Sequence, residues 1–234
     1  MAIIDGRVAK AERLLVAGAS LVGALEHSST PLLVAASAGH DRMVEFLVER
    51  GADLEAMAPP EDINGMGPLM FRHGSRALHA SLDAGIGTMR LLLRLGADSN
   101  GKDAYGHTPL YAACLRQKGL ACIQELVNHG ADPTATSNEG MTPMHIAAGE
   151  DKSDIIRTLL AVTPSAINIT GKYGLTPLGC AVTAGKEKVV RFLASAGASD
   201  RNILFTTGVS SLHHAVEGCH ENLVRILLDE GLDA

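Results

Sequence analysis

The chain has 234 residues, of which 46% are hydrophobic and 20% are charged, which is typical of folded soluble proteins and excludes disordered or collagenous chains. Only 3% are aromatic and none is Trp, so small and aliphatic side chains must form the core, which favours packed helices over sheets. The net charge of −6 and the scattered basic residues provide no electrostatic footprint for nucleic acid or an anionic membrane.

The sequence carries no targeting or membrane-spanning signal. No apolar run approaches the roughly 18 residues of a membrane helix, and the N-terminus MAIIDGRVAKAER lacks the apolar stretch of a secretion signal. We therefore expect a monomeric domain in the cytoplasm or nucleus, with no direct membrane insertion. The cysteines form no CxxC pair and lie in segments that read as helical, so we expect free thiols at Cys114, Cys122, Cys180 and Cys219.

A short motif recurs along the chain. It reads TPLLVAASAGH at 30, TPLYAACLRQK at 108, TPMHIAAGEDK at 142, TPLGCAVTAGK at 176 and SSLHHAVEGCH at 210. The last four copies are each 34 residues apart, a period inside the range of 20 to 50 residues that is typical of solenoids and propellers. The sequence therefore predicts a repeat architecture.

Each repeat carries the signals of two helices. Thr or Ser can cap a helix N-terminus, and Pro suits the first helical position because its missing N–H needs no partner there. A small pair such as Ala35-Ala36 lets this short helix lie close to its neighbours. In the second segment Met43, Phe46 and Leu47 share one helix face, and Gly51 can end the helix in a left-handed conformation. Each unit is predicted to be helix, turn, helix, loop.

These residues resemble the ankyrin-repeat family, whose pattern is G-x-T-P-L-H-x-A-A-x-x-G-H, then a longer helix and G-A-D. The resemblance covers nearly the whole chain and implies an all-α solenoid of about six and a half stacked helix-turn-helix units with loop or hairpin tips. It implies one domain over residues 1–234. The predicted repeats are 1–24 (partial), 25–54, 72–101, 104–137, 138–171, 172–205 and 206–234.

One insertion, residues 55–71, interrupts the pattern. The step from Thr30 to the equivalent Arg76 is 46 residues instead of 34, which leaves 12 additional residues. This segment is rich in Pro and Gly, and two interpretations remain open: a flexible spacer, or an ordered finger with an apolar tip on the binding face. The apolar candidates in it are Met66, Leu69, Met70 and Phe71.

Three further departures bear on local geometry. Arg76-Ala77 replaces Thr-Pro, which predicts a weaker helix start. Thr163-Pro164 replaces the glycine terminator, so Pro must end that helix. The last unit offers aliphatic residues from Leu223 to Leu228 where a terminal repeat needs a polar outer face, so we expect the chain to be a fragment of a longer protein.

The candidate chemical sites have structural explanations. His213, His214, Cys219 and His220 are potential metal ligands, but His213 occupies the T-P-L-H position of the resembled family and His220 its Gly-His turn. The sequence contains no phosphate-binding loop, dinucleotide fingerprint or HExxH motif. We expect no metal, no cofactor and no catalytic residue.

The resemblance implies that a protein or peptide partner binds a concave groove. This groove is lined by residues four, three and one before each Thr and by those seven and eight after it. The candidate partner-binding residues are Arg72, His73, Tyr105, His107, Leu115, Arg116, Glu139, Met141, Tyr173 and Leu175. Tyr105 and Tyr173 stand out because they share one repeat position and because Tyr is enriched at interface hot spots, although any single candidate could be an ordinary solvated residue.

Two functional classes remain. The favoured one is a non-catalytic protein-protein interaction module. The alternative is a regulatory or substrate-recruiting ankyrin domain of a larger enzyme, ubiquitin-ligase adaptor or channel. The fold itself does not name a partner.

Overall fold

The computed structural model of the chain describes residues 30–58, 73–199 and 210–232, except for the side chain of Tyr173. These residues contain six pairs of α-helices and no strand. The pairs are α1 Pro31–Ser37 with α2 Asp41–Glu49, α3 Ala77–Ala84 with α4 Ile86–Arg94, α5 Pro109–Leu115 with α6 Leu120–Asn128, α7 Pro143–Gly149 with α8 Ser153–Val162, α9 Pro177–Thr183 with α10 Glu187–Ser195, and α11 Ser211–Glu217 with α12 Glu221–Asp229. The all-α class predicted from the sequence is confirmed.

The first helix of each pair follows a residue that we call the cap residue: Thr30, Arg76, Thr108, Thr142, Thr176 or Ser210. The hydroxyl of Thr30 accepts a hydrogen bond from the backbone N–H of Leu33 at 3.2 Å, and that of Thr176 accepts one from Gly179 at 3.1 Å. Such bonds satisfy N–H groups that the helix itself leaves without partners. The hydroxyls of Thr30 and Thr176 therefore set where α1 and α9 begin.

Arg76 has no hydroxyl, and its side chain makes no cap hydrogen bond to α3. Its guanidinium instead contacts a carboxylate oxygen of Glu55 at 2.6 Å, and its Nε–H donates to the carbonyl of Lys102 at 3.2 Å. Glu55 also accepts from the backbone N–H of Asp98 at 2.8 Å. Arg76, in place of the usual Thr, leaves α3 without a hydroxyl cap but joins three segments of the chain. Its hydrogen bonds involve a charged group and are stronger than neutral ones.

The chain forms two compact units. The first unit, residues 1–109 and 128–131, contains α1 to α4, with α1 packed on α3 and α2 on α4. Its core is aliphatic, with Leu32, Leu47 and Leu92 at most 1% exposed. Small and aliphatic side chains allow short helices to pack closely.

The second unit, residues 110–127 and 132–234, contains nearly all of α5 and α6 and the whole of α7 to α12. Helix α9 packs on both α7 and α11, while α10 packs on α8 and α12. Arg157 lies over the ring of Phe192 at 5.0 Å, which adds a cation–π contact between α8 and α10. Helix α8 ends at Val162, and Pro164 begins a 3₁₀ helix, Pro164–Asn168, so this proline ends the helix as predicted.

Hydrogen bonds link Ala58, within the predicted insertion, to the segment that follows the insertion. The backbone N–H of Ala58 donates to the carbonyl of Ser75 at 2.7 Å, and the N–H of Gly74 donates to the carbonyl of Ala58 at 3.0 Å. Gly74 has φ 73°, and a Cβ there would lie 2.4 Å from the backbone nitrogen of Ala104. Only glycine fits both the left-handed conformation and the close approach.

No helix within the described ranges combines the length and the apolar character needed to cross a bilayer.

Candidate functional site

A hydrogen-bonded loop tip precedes three of the cap residues. In each tip the backbone N–H five residues before the cap residue donates to the carbonyl of the residue just before it. These bonds join Asp103 to His107 at 2.9 Å, Ser137 to Met141 at 2.9 Å and Gly171 to Leu175 at 2.8 Å. Consecutive tips within one unit are linked too, because Ala104 N–H donates to His73 O at 3.2 Å and Lys172 N–H to Glu139 O at 2.8 Å.

In the first unit the tip is held by one buried carboxylate. Asp103 Oδ1 accepts hydrogen bonds from the backbone N–H groups of Tyr105 at 2.9 Å and His107 at 2.8 Å. Burial acts to raise the pKa of Asp103, but hydrogen bonds from the side chain and backbone of His107 and the charges of His107 and His79 outweigh it. The pKa therefore lies below its ordinary value of 3.8, and the carboxyl stays ionised at neutral pH.

Tyr105 is the exposed aromatic residue on this tip. Its side chain is 45% exposed, and its ring stacks on that of His107 with 5.7 Å between centroids and 24° between planes. Asp103 holds the backbone of both residues of this pair, and the stacking on His107 restricts the Tyr105 ring. An exposed aromatic held in this way loses little conformational entropy when a partner covers it.

In the second unit the corresponding tip is supported by Ser137. Its Oγ accepts from the N–H groups of Glu139 and Met141, both at 3.3 Å. Glu139 is exposed, with its carboxylate 4.0 Å from the ammonium of Lys172. Met141 is half-buried, and its sulfur lies so close over Gly171 that a Cβ there would be 2.5 Å away. Met141 therefore packs against the next tip, whereas Glu139 faces solvent.

The ends of the first helices form the second part of the predicted surface. Leu115 and Arg116, at the end of α5, are both half-buried. Beside them, Gln117 donates from its side-chain amide to the carboxylate of Glu150 at 2.8 Å, which links the ends of α5 and α7. These residues present a mixed aliphatic and polar strip, such as is found at the rims of protein interfaces.

In two of the repeats a histidine ring ties the first helix to the following tip. In α7 the Thr142 backbone N–H donates to His145 Nδ1 at 3.0 Å, so the other ring nitrogen, Nε2, carries the proton. His145 Nε2 donates to the carbonyl of Leu175 at 2.9 Å. In the first unit His79 Nε2 lies 3.0 Å from the carbonyl of His107. His79 and His145 therefore hold the tips that follow them in place.

The amino-acid sequence that forms these caps and loop tips matches known protein families over most of the chain. The family profile described as ankyrin repeats (3 copies) matches residues 61–137, 78–168, 114–203 and 154–234, and a single ankyrin repeat matches residues 27–58. The chain belongs to the ankyrin-repeat family. It is also 36% identical over 76 residues to Rabankyrin-5 of Homo sapiens, a stretch that covers 32% of this chain and 6% of that relative.

Some predicted residues of this ankyrin chain fall outside the described ranges. Arg72 and the insertion residues Met66, Leu69, Met70 and Phe71 lie there. Tyr173 lies in the short 3₁₀ helix Lys172–Gly174. His73 is half-buried, and Leu175 is half-buried with its carbonyl engaged by His145.

Two residues that the repeat pattern did not single out also shape the candidate surface of this ankyrin chain. Asp103 positions Tyr105, and its place in D-A-Y-G-H is an Asx-turn signal that could have identified it. Gln117 has φ 53° and bridges to Glu150, a pairing between repeats that no local signal reveals.

The environments of the cysteine thiols and of the potential metal ligands bear on their chemistry. None of the four cysteines, all of them in described residues, forms a disulfide, as predicted. Burial raises the pKa of Cys114 and Cys180 to about 12 and that of Cys122 to about 11, so these thiols stay protonated. The described part of the chain contains no group of three or more potential metal ligands.

Proposed function

We propose that this chain is a non-catalytic interaction module inside the cell that binds a protein or peptide through its loop tips and the ends of its first helices. Ankyrin repeats are generally protein-protein interaction modules. The observation that carries the proposal is Tyr105, which is 45% exposed on a tip whose backbone the Asp103 carboxylate holds by two hydrogen bonds. Tyr is among the residues that contribute most to interface energies.

Each unit contributes its own surface. In the first, the contact residues are Tyr105 and His107, beside His73. In the second, they are Leu115, Arg116 and Glu139, with Tyr173 and Leu175 on the next tip and Met141 supporting the packing between tips. The residues around the caps are occupied in structural hydrogen bonds, which leaves the tips as the parts of each repeat that can vary with the partner.

The proposal is tested by partner capture from the native cell with the whole chain as bait, followed by affinity measurement with the captured protein. Tyr105→Ala should weaken binding at least tenfold, because truncation of a central aromatic typically costs about 2 kcal/mol or more. Arg116→Ala and Tyr173→Ala test the second unit in the same way. Arg191→Ala, an exposed change on the second helix α10, is the matched control and should leave the affinity unchanged.

The role of Asp103 provides a sharper version of this test. Asp103→Ala leaves the Tyr105 ring present but removes the carboxylate that orients it. Asp103→Ala should weaken capture of the partner. Asp132→Ala is the matched control, because it removes an exposed carboxylate that accepts from the backbone N–H of Thr134, and it should leave capture unchanged. Unchanged partner affinity in Tyr105→Ala, Arg116→Ala and Tyr173→Ala, with the helical content retained, would refute the proposal.

A further inference from the structure

Residues 103–107 form the loop tip of the first unit, which we call the Tyr105 tip, and the preceding repeat bonds to both sides of it. Ala104 N–H donates to the carbonyl of His73 at 3.2 Å. On the other side, His79 Nε2 lies 3.0 Å from the carbonyl of His107. All of these residues belong to the first unit.

The second unit contains the same two bonds at the same repeat positions. Lys172 N–H donates to the carbonyl of Glu139 at 2.8 Å, and His145 Nε2 donates to that of Leu175 at 2.9 Å. These two bonds therefore accompany the repeat itself and do not distinguish the Tyr105 tip from the tip that follows α7.

A third bond to the Tyr105 tip comes from Arg76. Its Nε–H donates at 3.2 Å to the carbonyl of Lys102, the residue directly before the tip. Thr30 and Thr176 occupy the same cap position in other repeats, and their hydroxyls bond to their own helices. A Thr side chain is short and has one hydroxyl, whereas Arg carries five N–H donors on a long stem. The link from the cap position to the next tip thus depends on the arginine.

The guanidinium of Arg76 is held by Glu55. One carboxylate oxygen of Glu55 contacts Arg76 Nη1 at 2.6 Å, and the other accepts from the backbone N–H of Asp98 at 2.8 Å. The two side chains are only 23% and 34% exposed. A charged pair that is partly buried and hydrogen-bonded on both sides keeps its geometry better than a solvated pair.

The residue at position 101 allows this pair to lie against the chain that leads into the tip. Gly101 is buried, and a Cβ there would lie 3.0 Å from Arg76 Cδ and 3.1 Å from the Glu55 carboxylate. A larger residue would push the pair away from Lys102. Glycine is therefore required here by close approach of the side chains.

From these contacts we infer that Arg76, paired with Glu55, is a positioning residue for partner binding. It holds the chain that enters the Tyr105 tip, so that the Tyr105 ring meets a partner in a set geometry. A tip held in this way loses less conformational entropy on binding than a mobile one. The inference rests on the proposed function of Tyr105, and it gives a role in recognition to the residue that leaves α3 without a hydroxyl cap.

The informative variant is Arg76→Thr, because it removes the link to Lys102 and supplies the hydroxyl that α3 lacks. Amide hydrogen exchange followed by NMR should become about tenfold faster at Ala104, as expected for the loss of one charged hydrogen bond that holds the tip. Exchange at Lys172, the equivalent position in the second unit, should stay unchanged. The free energy of unfolding in urea should not fall, since Thr is a favourable N-cap. A merely structural role of Arg76 would instead lower that free energy.

Two further variants make the exchange measurement specific. Glu55→Gln keeps the size of the side chain but removes its charge, and it should produce part of the same acceleration at Ala104. Added to Arg76→Thr it should have no further effect, because the two residues act through one contact. Arg42→Thr, at an exposed arginine on α2 of the same unit, is the matched control and should leave exchange at Ala104 unchanged.

Affinity for the protein captured by the wild-type chain gives the functional readout. Arg76→Thr and Glu55→Gln should each weaken it severalfold, while Arg42→Thr does not. Equal exchange at Ala104 in the wild type and Arg76→Thr would overturn the inference. Unchanged affinity in Arg76→Thr, together with weak binding by Tyr105→Ala, would overturn the role of Arg76 alone. Unchanged affinity in Tyr105→Ala would overturn the proposed function, and the role of Arg76 in recognition with it.

Discussion

His145 Nε2 donates to the carbonyl oxygen of Leu175 at 2.9 Å, so the first helix of one repeat is bonded directly to the loop tip of the next. The imidazole is 1% exposed, and its other nitrogen accepts from Thr142 N–H, so both ring nitrogens are satisfied away from water. One side chain thereby fixes the start of its own helix and the spacing between neighbouring repeats.

His145→Leu should lower the free energy of unfolding by about 1–3 kcal/mol, because it leaves buried backbone groups without partners. Urea unfolding followed by circular dichroism measures the loss. His213→Leu is the matched control at the same repeat position and should cost less than about 0.5 kcal/mol, since His213 is exposed and lacks the second bond within the described chain. Equal losses in the two variants would contradict the bridging role.

Stability should also depend on pH through His145. Burial lowers the pKa of His145 below the ordinary histidine value of 6.5, although hydrogen bonds to the carbonyls of Leu175 and Ile169 oppose the shift. The imidazole of His145 therefore binds a proton more readily in the unfolded chain than in the folded one. The stability that neutral His145 contributes is present above pH 6.5 and is lost as the pH falls through the folded-state pKa. The unfolding free energy of the wild type should fall from pH 7.5 to pH 5 more steeply than that of His145→Leu, and parallel pH profiles would count against this account.

The turn between the helices of the last pair contains a strained residue. Cys219 has φ 54°, while Gly185 occupies the same position in the preceding repeat with φ 70°. A left-handed conformation costs a non-glycine residue roughly 1–2 kcal/mol, partly offset by the greater freedom of glycine in the unfolded chain. Cys219→Gly should therefore raise the free energy of unfolding by about 0.5–1 kcal/mol in urea titrations.

The reverse change supplies the comparison. Gly185→Ala should be destabilising, because its Cβ would lie 3.0 Å from the ring of His220 in addition to the backbone strain. If Cys219→Gly lowers stability, or Gly185→Ala leaves it unchanged, the strain does not reside at this turn.

Thiol labelling should distinguish the cysteines. Cys219 is exposed, whereas Cys114 and Cys180 are buried with pKa values of about 12, so roughly one in ten thousand of these thiols is ionised at pH 8. Iodoacetamide should add one group per native chain within minutes and four in urea, as read by intact mass. Cys219→Ser should remove the rapid phase, and rapid modification of a second thiol in the native protein would show that the cores open readily.

The helix pairs were predictable because residues within each repeat mark where its helices begin and end. A Thr hydroxyl caps the first helix, and a glycine or Pro164 ends the second, so local chemistry alone sets these elements. Arg76 marks the limit of such reasoning. The sequence shows that a hydroxyl is missing, but the ion pair with Glu55 depends on how residues 21 positions apart meet in the fold.

The candidate site also contains features that the sequence predicts and features that only the fold reveals. Repeat position alone identified Tyr105 as a tip residue, and the structure places it on an ordered and exposed tip. Met141 occupies the analogous surface by sequence position, yet its sulfur packs over Gly171 because that neighbour has no side chain. Contacts of this kind depend on pairs of residues from different repeats, which a single-repeat pattern does not encode.

The paired hydrogen bonds between Ala58 and the Gly74–Ser75 segment have an evolutionary consequence. Because these bonds join the chain on the two sides of residues 59–72, they fix Ala58 and Gly74 relative to each other. Mutations that lengthen, shorten or exchange residues 59–72 can therefore leave the register of α2 and α3 unchanged.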